Sequence, residues 1–136
     1  MPTLIQTIAN ALTARANCQR TGNTEWFARW TDTLTGPLTD ALPHGSGING
    51  ENTIDLDRST PDKVVIHTAF HHMDENGYYD GWTQHTVTIR PAFEGLHVTI
   101  SGPDRNGIKD DLAIVFLDAL LESYDATNAT PIEARA

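Results

Sequence analysis

The apolar residues of this chain change period twice, from helical to alternating and back to helical. That order narrows the fold more than any other feature. Leu4, Ile5, Ile8, Ala9, Leu12 and Ala16 recur at helical spacing behind Thr3, a residue suited to an N-cap. The spacing predicts a first helix over about 3–20 that stops near Gly22. Asn23 or Thr24 can cap a second helix over 24–35 that carries Trp26, Phe27 and Trp30 on one side. Gly36-Pro37 is expected to interrupt or kink it ahead of Leu38 and Leu42, because proline offers no N–H to a helix. The glycine-rich run 43–50 reads as a loop.

From residue 53 the alternation takes over. A short strand is predicted at 53–57 and a β-branched, aromatic-rich one at 63–73, just after Pro61. Asn76-Gly77 favours a tight reversal into a returning strand at 82–90. Phe93-Glu94-Gly95 turns the chain into a third strand of this set at 95–101, where Leu96, Val98 and Ile100 alternate with His97 and Thr99. A polar loop comes next at 102–107. Leu112, Val115, Phe116, Ala119 and Leu120 then mark an amphipathic helix over 108–124. The strands from 63 to 101 read as an antiparallel β-meander, and a sheet buried on one face needs a covering layer. The expected fold is therefore α+β: the meander covered by a long C-terminal helix, with two N-terminal helices. At 136 residues this is one domain over 1–124, with a small, polar tail at 125–136 expected to fray.

Charge limits the partners. Nine Lys and Arg stand against eighteen Asp and Glu, a formal charge of −9. Such a surface repels phosphate chains, which argues against a DNA or RNA polymer and against an anionic membrane. A small anion is still admissible, since a pocket can gather a few cations and backbone N–H groups. The N-terminus lacks the basic and apolar regions of a signal peptide, no apolar stretch is long enough to span a bilayer, and the single cysteine, Cys18, allows no intrachain disulfide. These features together predict a soluble intracellular protein.

The motifs of known chemistry are missing: no phosphate-binding glycine loop, no G-x-G-x-x-G, no H-E-x-x-H and no nucleophile elbow. No catalytic residue, metal or cofactor is therefore assigned. Cys18 reads as a packed or half-exposed side chain of the first helix. The chemically dense stretch is Phe70-His71-His72-Met73-Asp74-Glu75-Asn76-Gly77-Tyr78-Tyr79-Asp80-Gly81-Trp82. One reading is a metal site built from His71 or His72 with His85, His97 or Asp80, although adjacent His71 and His72 on a strand point to opposite faces. A plainer reading has these histidines packing or hydrogen-bonding within the sheet. A third is a nucleotide pocket. Tyr78, Tyr79 and Trp82 can stack on a base, Asn76 and Asn106 can read base or ribose edges, and Arg90, Arg105 or Lys109 can meet phosphate. Loop 102–107 leads into a helix N-terminus, where free N–H groups favour an anion. Asp104, Asp110 and Asp111 crowd the same place, and capping is their simpler role.

Three stretches in this order resemble a known family. They are Leu42-Pro43-His44-Gly45-Ser46-Gly47-Ile48, the block from Phe70 to Trp82 with Thr83-Gln84-His85, and Asp104-Arg105-Asn106-Gly107-Ile108-Lys109-Asp110. The chain is similar to small proteins of tailed phages and prophages, and more narrowly to the first type of Thoeris anti-defence protein. Such proteins are sponges: they sequester, without degrading, the cyclic ADP-ribose isomers made by bacterial TIR enzymes. The resemblance covers about 5–122 and implies a bacteriophage protein of immune evasion in the cytoplasm of the infected bacterial host. It also implies a homodimer or higher homo-oligomer such as a hexamer, with the ligand between subunits. The resemblance puts Asn106, with Arg105 beside it, and Leu96 or its neighbour Phe93 at the ligand; with Tyr78, Trp82, Lys109 and His71 from the residues themselves, the expected ligand-binding set is Arg105, Asn106, Phe93, Leu96, His71, Tyr78, Trp82 and Lys109. Leu96 stands where the family has a stacking aromatic, and neighbouring Phe93 is the substitute. Arginines on the last helix serve cyclic trinucleotides in some members, whereas 111–128 here contains neither Arg nor Lys.

Two other classes fit the same residues: a protein that inhibits a host enzyme by direct binding, and a metal-dependent nucleotide hydrolase. The cluster Trp26, Phe27 and Trp30 offers more apolar area than a small sheet needs to cover, which predicts a self-association surface.

Overall fold

The computed structural model of the protein describes residues 1–44, 48 and 51–128. Helix α1 spans Leu4–Thr21, and its start is a capping box. The Thr3 hydroxyl accepts the Gln6 N–H at 3.3 Å, while the Gln6 side chain accepts the Thr3 N–H at 2.9 Å. The helix ends at Gly22. Helix α2, Thr24–Thr33, begins where Asn23 Oδ1 accepts the Trp26 N–H.

Gly36-Pro37 does not break the helical path. The chain continues from α2 as a π-helical turn, Leu34–Leu38, and remains helical to residue 40. Proline supplies no N–H and its ring crowds the carbonyl four residues back; widening the turn relieves that crowding. The Thr39 hydroxyl donates to the Leu34 carbonyl at 2.6 Å across the widened turn. The result keeps both Leu34 and Leu38 fully buried.

Four strands form one antiparallel meander in sequence order: β1 Thr53–Ile54, β2 Val64–Met73, β3 Tyr79–Ala92 and β4 Gly95–Ser101. Strand β1 is shorter than the alternation predicts. Asp55 Oδ1 accepts the N–H groups of Asp57 and Arg58, both at 3.1 Å, and this turn ends the strand. Strand β3 is longer than predicted because pairing with β2 continues past a bulge to Tyr79. Helix α3, Ile108–Leu121, is succeeded by an antiparallel bridge that ties Thr3 to Ser123, with the Leu4 N–H on the Glu122 carbonyl at 3.0 Å. Beyond it, 126–128 make one 3-10 turn; the rest of the expected fraying tail, 129–136, lies outside the described residues, as does most of the 43–50 loop.

The core lies between one sheet face and the helices. Ile54, Val64, Ile66, Val87, Ile89 and Ile100 point inward from the strands, against Ile8 and Leu12 of α1 and Leu112, Phe116 and Leu120 of α3. The C-terminal helix therefore shares the cover with α1. The opposite, outer face is covered at its start, where turn 55–59 lies over Val65 and the Val65 N–H donates to Ser59 Oγ at 2.9 Å. No helix among the described residues is long and apolar enough to cross a membrane.

The predicted aromatic surface on α2 is not there. Trp30 is buried in the core, and Trp26 and Phe27 are half-buried under the guanidinium groups of Arg29 and Arg15, 4.7 and 4.2 Å from the ring centres. The large exposed apolar side chains sit elsewhere: Met73, Tyr78, Tyr79 and Trp82 at the β2–β3 hairpin, Phe93 at the β3–β4 turn, and Ile114, Val115 and Leu121 on α3.

Candidate functional site

The β2–β3 hairpin closes on Asp74, whose Oδ1 accepts the N–H groups of Asn76 and Tyr78, each at 2.9 Å. Two pairs along, the ladder slips. His71 lies opposite Trp82 and Met73 opposite Tyr79, so Asp80 and Gly81 together face His72 alone. This is a β-bulge, and Gly81 at φ +82° takes the left-handed backbone it needs. Its consequence is a change of facing: Tyr79 and Trp82 both lie on the outer face with His71. The Tyr79 hydroxyl meets His71 Nδ1 at 3.1 Å, and Glu51 Oε2 meets His71 Nε2 at 2.8 Å.

Four residues back along β2, His67 has the same outward direction and the same kind of partners. Asp55 Oδ2 lies 2.8 Å from its Nε2 and Thr86 Oγ1 3.2 Å from its Nδ1. The hydrogen bond from His67 holds the Asp55 carboxyl below its ordinary pKa. Between the two imidazoles runs a groove of about 420 Å³, walled by Glu51, Thr53, Trp82 and Gln84 with Ala69 at its floor.

The core face of the same hairpin carries a second polar group. His72 Nε2 and His85 Nε2 approach the Thr83 hydroxyl from either side, at 2.8 and 2.7 Å. A hydroxyl has one proton, so Thr83 donates to one imidazole and accepts from the other. His85 is buried, and among the described residues its Nδ1 has no partner. Burial first, then the positive charge of Arg105, pushes the His72 pKa down; burial first, then His72, does the same to His85.

These lowered pKa values make stability depend on pH. Each imidazole's folded-state pKa lies below its unfolded value of ~6.5, so the unfolded chain binds more protons as pH falls below that value. Stability is full above ~6.5 and falls below it, by up to about 1.4 kcal/mol per pH unit for each imidazole until the folded pKa is reached. Asp55 acts in the same direction only below its unfolded pKa of ~3.9, outside this window. Urea unfolding at pH 7.5 and 5.5 is expected to show this loss. A His85→Gln variant is expected to show a smaller one.

Loop 102–107 reaches this hairpin from the far side of the sequence. The Arg105 guanidinium donates to the Asp80 carbonyl at 2.7 Å and pairs with the Asp80 carboxylate. Asn106 comes next in the left-handed region, φ 58° and ψ 27°, with its side chain in solvent. The start of α3 is a less open anion site than the sequence suggests. The Lys109 N–H already donates to Asp104 Oδ1 at 3.1 Å, and Asp110 and Asp111 occupy the first turn. Asp104 thus takes the capping role.

Of the eight predicted ligand residues, the fold brings Arg105, Asn106, Lys109, Tyr78, Trp82 and His71 to one end of the sheet. It separates the other two. Phe93 is fully exposed in the β3–β4 turn, about 36 Å from Trp82 at ~3.3 Å per residue along the strand. Leu96, opposite Pro91, packs its side chain against the core. Within one subunit these two cannot complete a pocket with the hairpin. His97 pairs with Arg90 towards that distant end as well, and among the described residues no three His, Cys, Asp or Glu converge in a way that could hold a metal ion.

The sequence assigns no role to Glu51, Asp55, His67, Thr83 or Gln84. His67 and His71 share a strand face by simple alternation, so their pairing in one groove was open to inference. Their carboxylate partners come from outside β2 and carry no sequence signal. No protein-family model, curated protein or solved structure matches this chain.

Proposed function

We propose that the protein binds and sequesters a small cyclic ADP-ribose-type signalling nucleotide without breaking it, and so blocks bacterial Thoeris immunity inside an infected host. The observation that carries this reading is the contact of Arg105 with Asp80. It unites the two most specific stretches of the resemblance, 70–85 and 104–110, which are far apart in the chain. Asn106 and the aromatic hairpin thereby stand at one edge, with amide, guanidinium and stacking surfaces close together.

The state of the outer imidazoles supports binding over turnover. Both nitrogens of His67 and of His71 are already engaged, so neither ring has a nitrogen free to take or give a substrate proton. A general base must reach its proton, and these two would first have to break a hydrogen bond.

The reading includes self-association. Phe93 and Leu96 lie at the opposite end of the sheet from Arg105, so a ligand touching both ends needs two copies of the chain. The exposed Ile114, Val115 and Leu121 on α3 are a surface that association would cover. Light scattering at micromolar concentration is expected to give a dimeric or larger mass, and a monomeric mass would remove this part of the proposal.

Losing a hydrogen bond to a charged group costs about 1.5–3 kcal/mol, ten- to a hundredfold or slightly more in affinity. Asn106→Ala and Arg105→Ala are each expected to weaken binding of the cyclic nucleotide at least tenfold in calorimetry. Both variants should fold, because Asn106 is exposed and a half-exposed ion pair contributes only about 0–1 kcal/mol to stability. Wild-type affinity in both would exclude loop 102–107 from the site.

A further inference from the structure

The groove on the outer face has a chemistry of its own, distinct from a phosphate site. Its lining holds no lysine or arginine among the described residues, and Glu51 stands on its wall. The Asp55 carboxylate sits just behind His67. A phosphate-bearing ligand would enter against two carboxylates with no lysine or arginine to meet it. A neutral ligand faces no such barrier.

What the lining offers is a flat aromatic surface ringed by unoccupied polar groups. Trp82 is 57% exposed, and among the described residues its indole N–H has no partner. The Gln84 amide and the Thr53 hydroxyl are equally unengaged there, and Glu51 commits only Oε2, to His71. His67 and His71 are locked on both nitrogens and serve as rigid walls. Ala69 keeps the floor low.

We infer that this groove binds a neutral sugar ring bearing vicinal hydroxyls. The C–H face of such a ring carries partial positive charge and lies well on the negative face of an indole. Its hydroxyls donate to Glu51 Oε1 and exchange hydrogen bonds with the Gln84 amide and Thr53, groups that can accept or donate in the plane of the ring. The volume, about 420 Å³, lies within the range of ordinary small-molecule sites. The ring can belong to a free pyranoside or to the ribose of an uncharged nucleoside. Trp82 and His71 also belong to the set expected to meet the nucleotide, but the neutral ring needs neither Arg105 nor Asn106, so Arg105→Ala, which should weaken the nucleotide and leave the ring unaffected, separates the two readings.

The test is a titration of the full chain followed by the Trp82 indole N–H resonance in NMR. The probes are methyl β-glucopyranoside, adenosine, 2′,3′-dideoxyadenosine and glucose 1-phosphate. Saturable shifts are expected with the glucoside, with adenosine, or with both, at millimolar concentrations. The arm that binds more tightly identifies the source of the ring. Dideoxyadenosine and glucose 1-phosphate are expected to bind at least tenfold more weakly than their hydroxylated or uncharged counterparts. Trp82→Ala, followed by tryptophan-independent calorimetry, and Glu51→Gln should each lower affinity at least tenfold. Both positions are at the surface, and unchanged thermal unfolding would show that the fold is intact. The inference is overturned if neither the glucoside nor adenosine binds, if dideoxyadenosine binds as well as adenosine, or if the phosphate ester binds as well as the glucoside.

Discussion

Gly102→Ala is expected to destabilise the protein by about 2–5 kcal/mol, a sum of backbone strain and overpacking. Gly102 leaves β4 at φ +127°, a region that side-chain-bearing residues scarcely enter. A Cβ there would stand 2.7 Å from the Gln84 carbonyl oxygen and 2.8 Å from His85 Nδ1. Neither neighbour can yield: one is backbone, and the other is a buried ring held by Thr83. The same crowding would push loop 102–107 outward and pull Arg105 from Asp80. Chemical unfolding should therefore show a large loss of stability, and whatever folded protein remains should bind the nucleotide more weakly. Wild-type stability in this variant would contradict the close approach of loop and sheet.

Phe116→Ala is expected to cost about 3–5 kcal/mol, the usual penalty for emptying a fully buried aromatic position. Phe116 is completely buried in α3, one turn from Leu112 and one from Leu120, within the cluster that joins α1, α3 and the sheet. A domain of this size has about 5–15 kcal/mol in hand, so the loss is a large share of its stability. The melting temperature should fall by about 10–20 °C. By contrast Asp118→Ala, on the exposed side of the same helix, should change stability little. Equal losses in the two variants would show that α3 does not cover the sheet through the Phe116 side.

The contrast between these helix positions shows what the sequence could and could not disclose. The periodicity placed Leu112, Phe116 and Leu120 on the buried face of α3, as it did Ile8 and Leu12 on that of α1, because a 3.6-residue repeat is a property of consecutive residues; it also placed Val115 there, which is exposed. The N-cap at Thr3 was equally local. The Asn76-Gly77 reversal and the meander also arose from neighbours in sequence. Trp26, Phe27 and Trp30 misled because composition does not reveal that two arginines lie over the outer rings and the core takes the third. Gly36-Pro37 did interrupt the α-helical hydrogen bonding, but a π turn keeps the chain helical through it.

At the site the division is similar. Tyr78, His71 and Trp82 were visible as a dense stretch of one hairpin. That Tyr79 and Trp82 share a face depends on the bulge at Asp80-Gly81, which strict alternation would place differently. Arg105 was identified as a cation in a loop, but its partner Asp80 lies twenty-five residues away and no local pattern links them. Phe93 and Trp82 stand near each other in sequence, at the turn after β3 and within β3. A long strand turns that nearness into distance.

The most direct measurement mixes the purified protein with one equivalent of a cyclic ADP-ribose isomer, isolates the protein fraction, denatures it by heat and weighs the released nucleotide by mass spectrometry. The account expects the nucleotide to travel with the protein and to emerge intact with its original mass. Nucleotide left entirely in the unbound fraction, or released with the mass of a hydrolysed product, would contradict it.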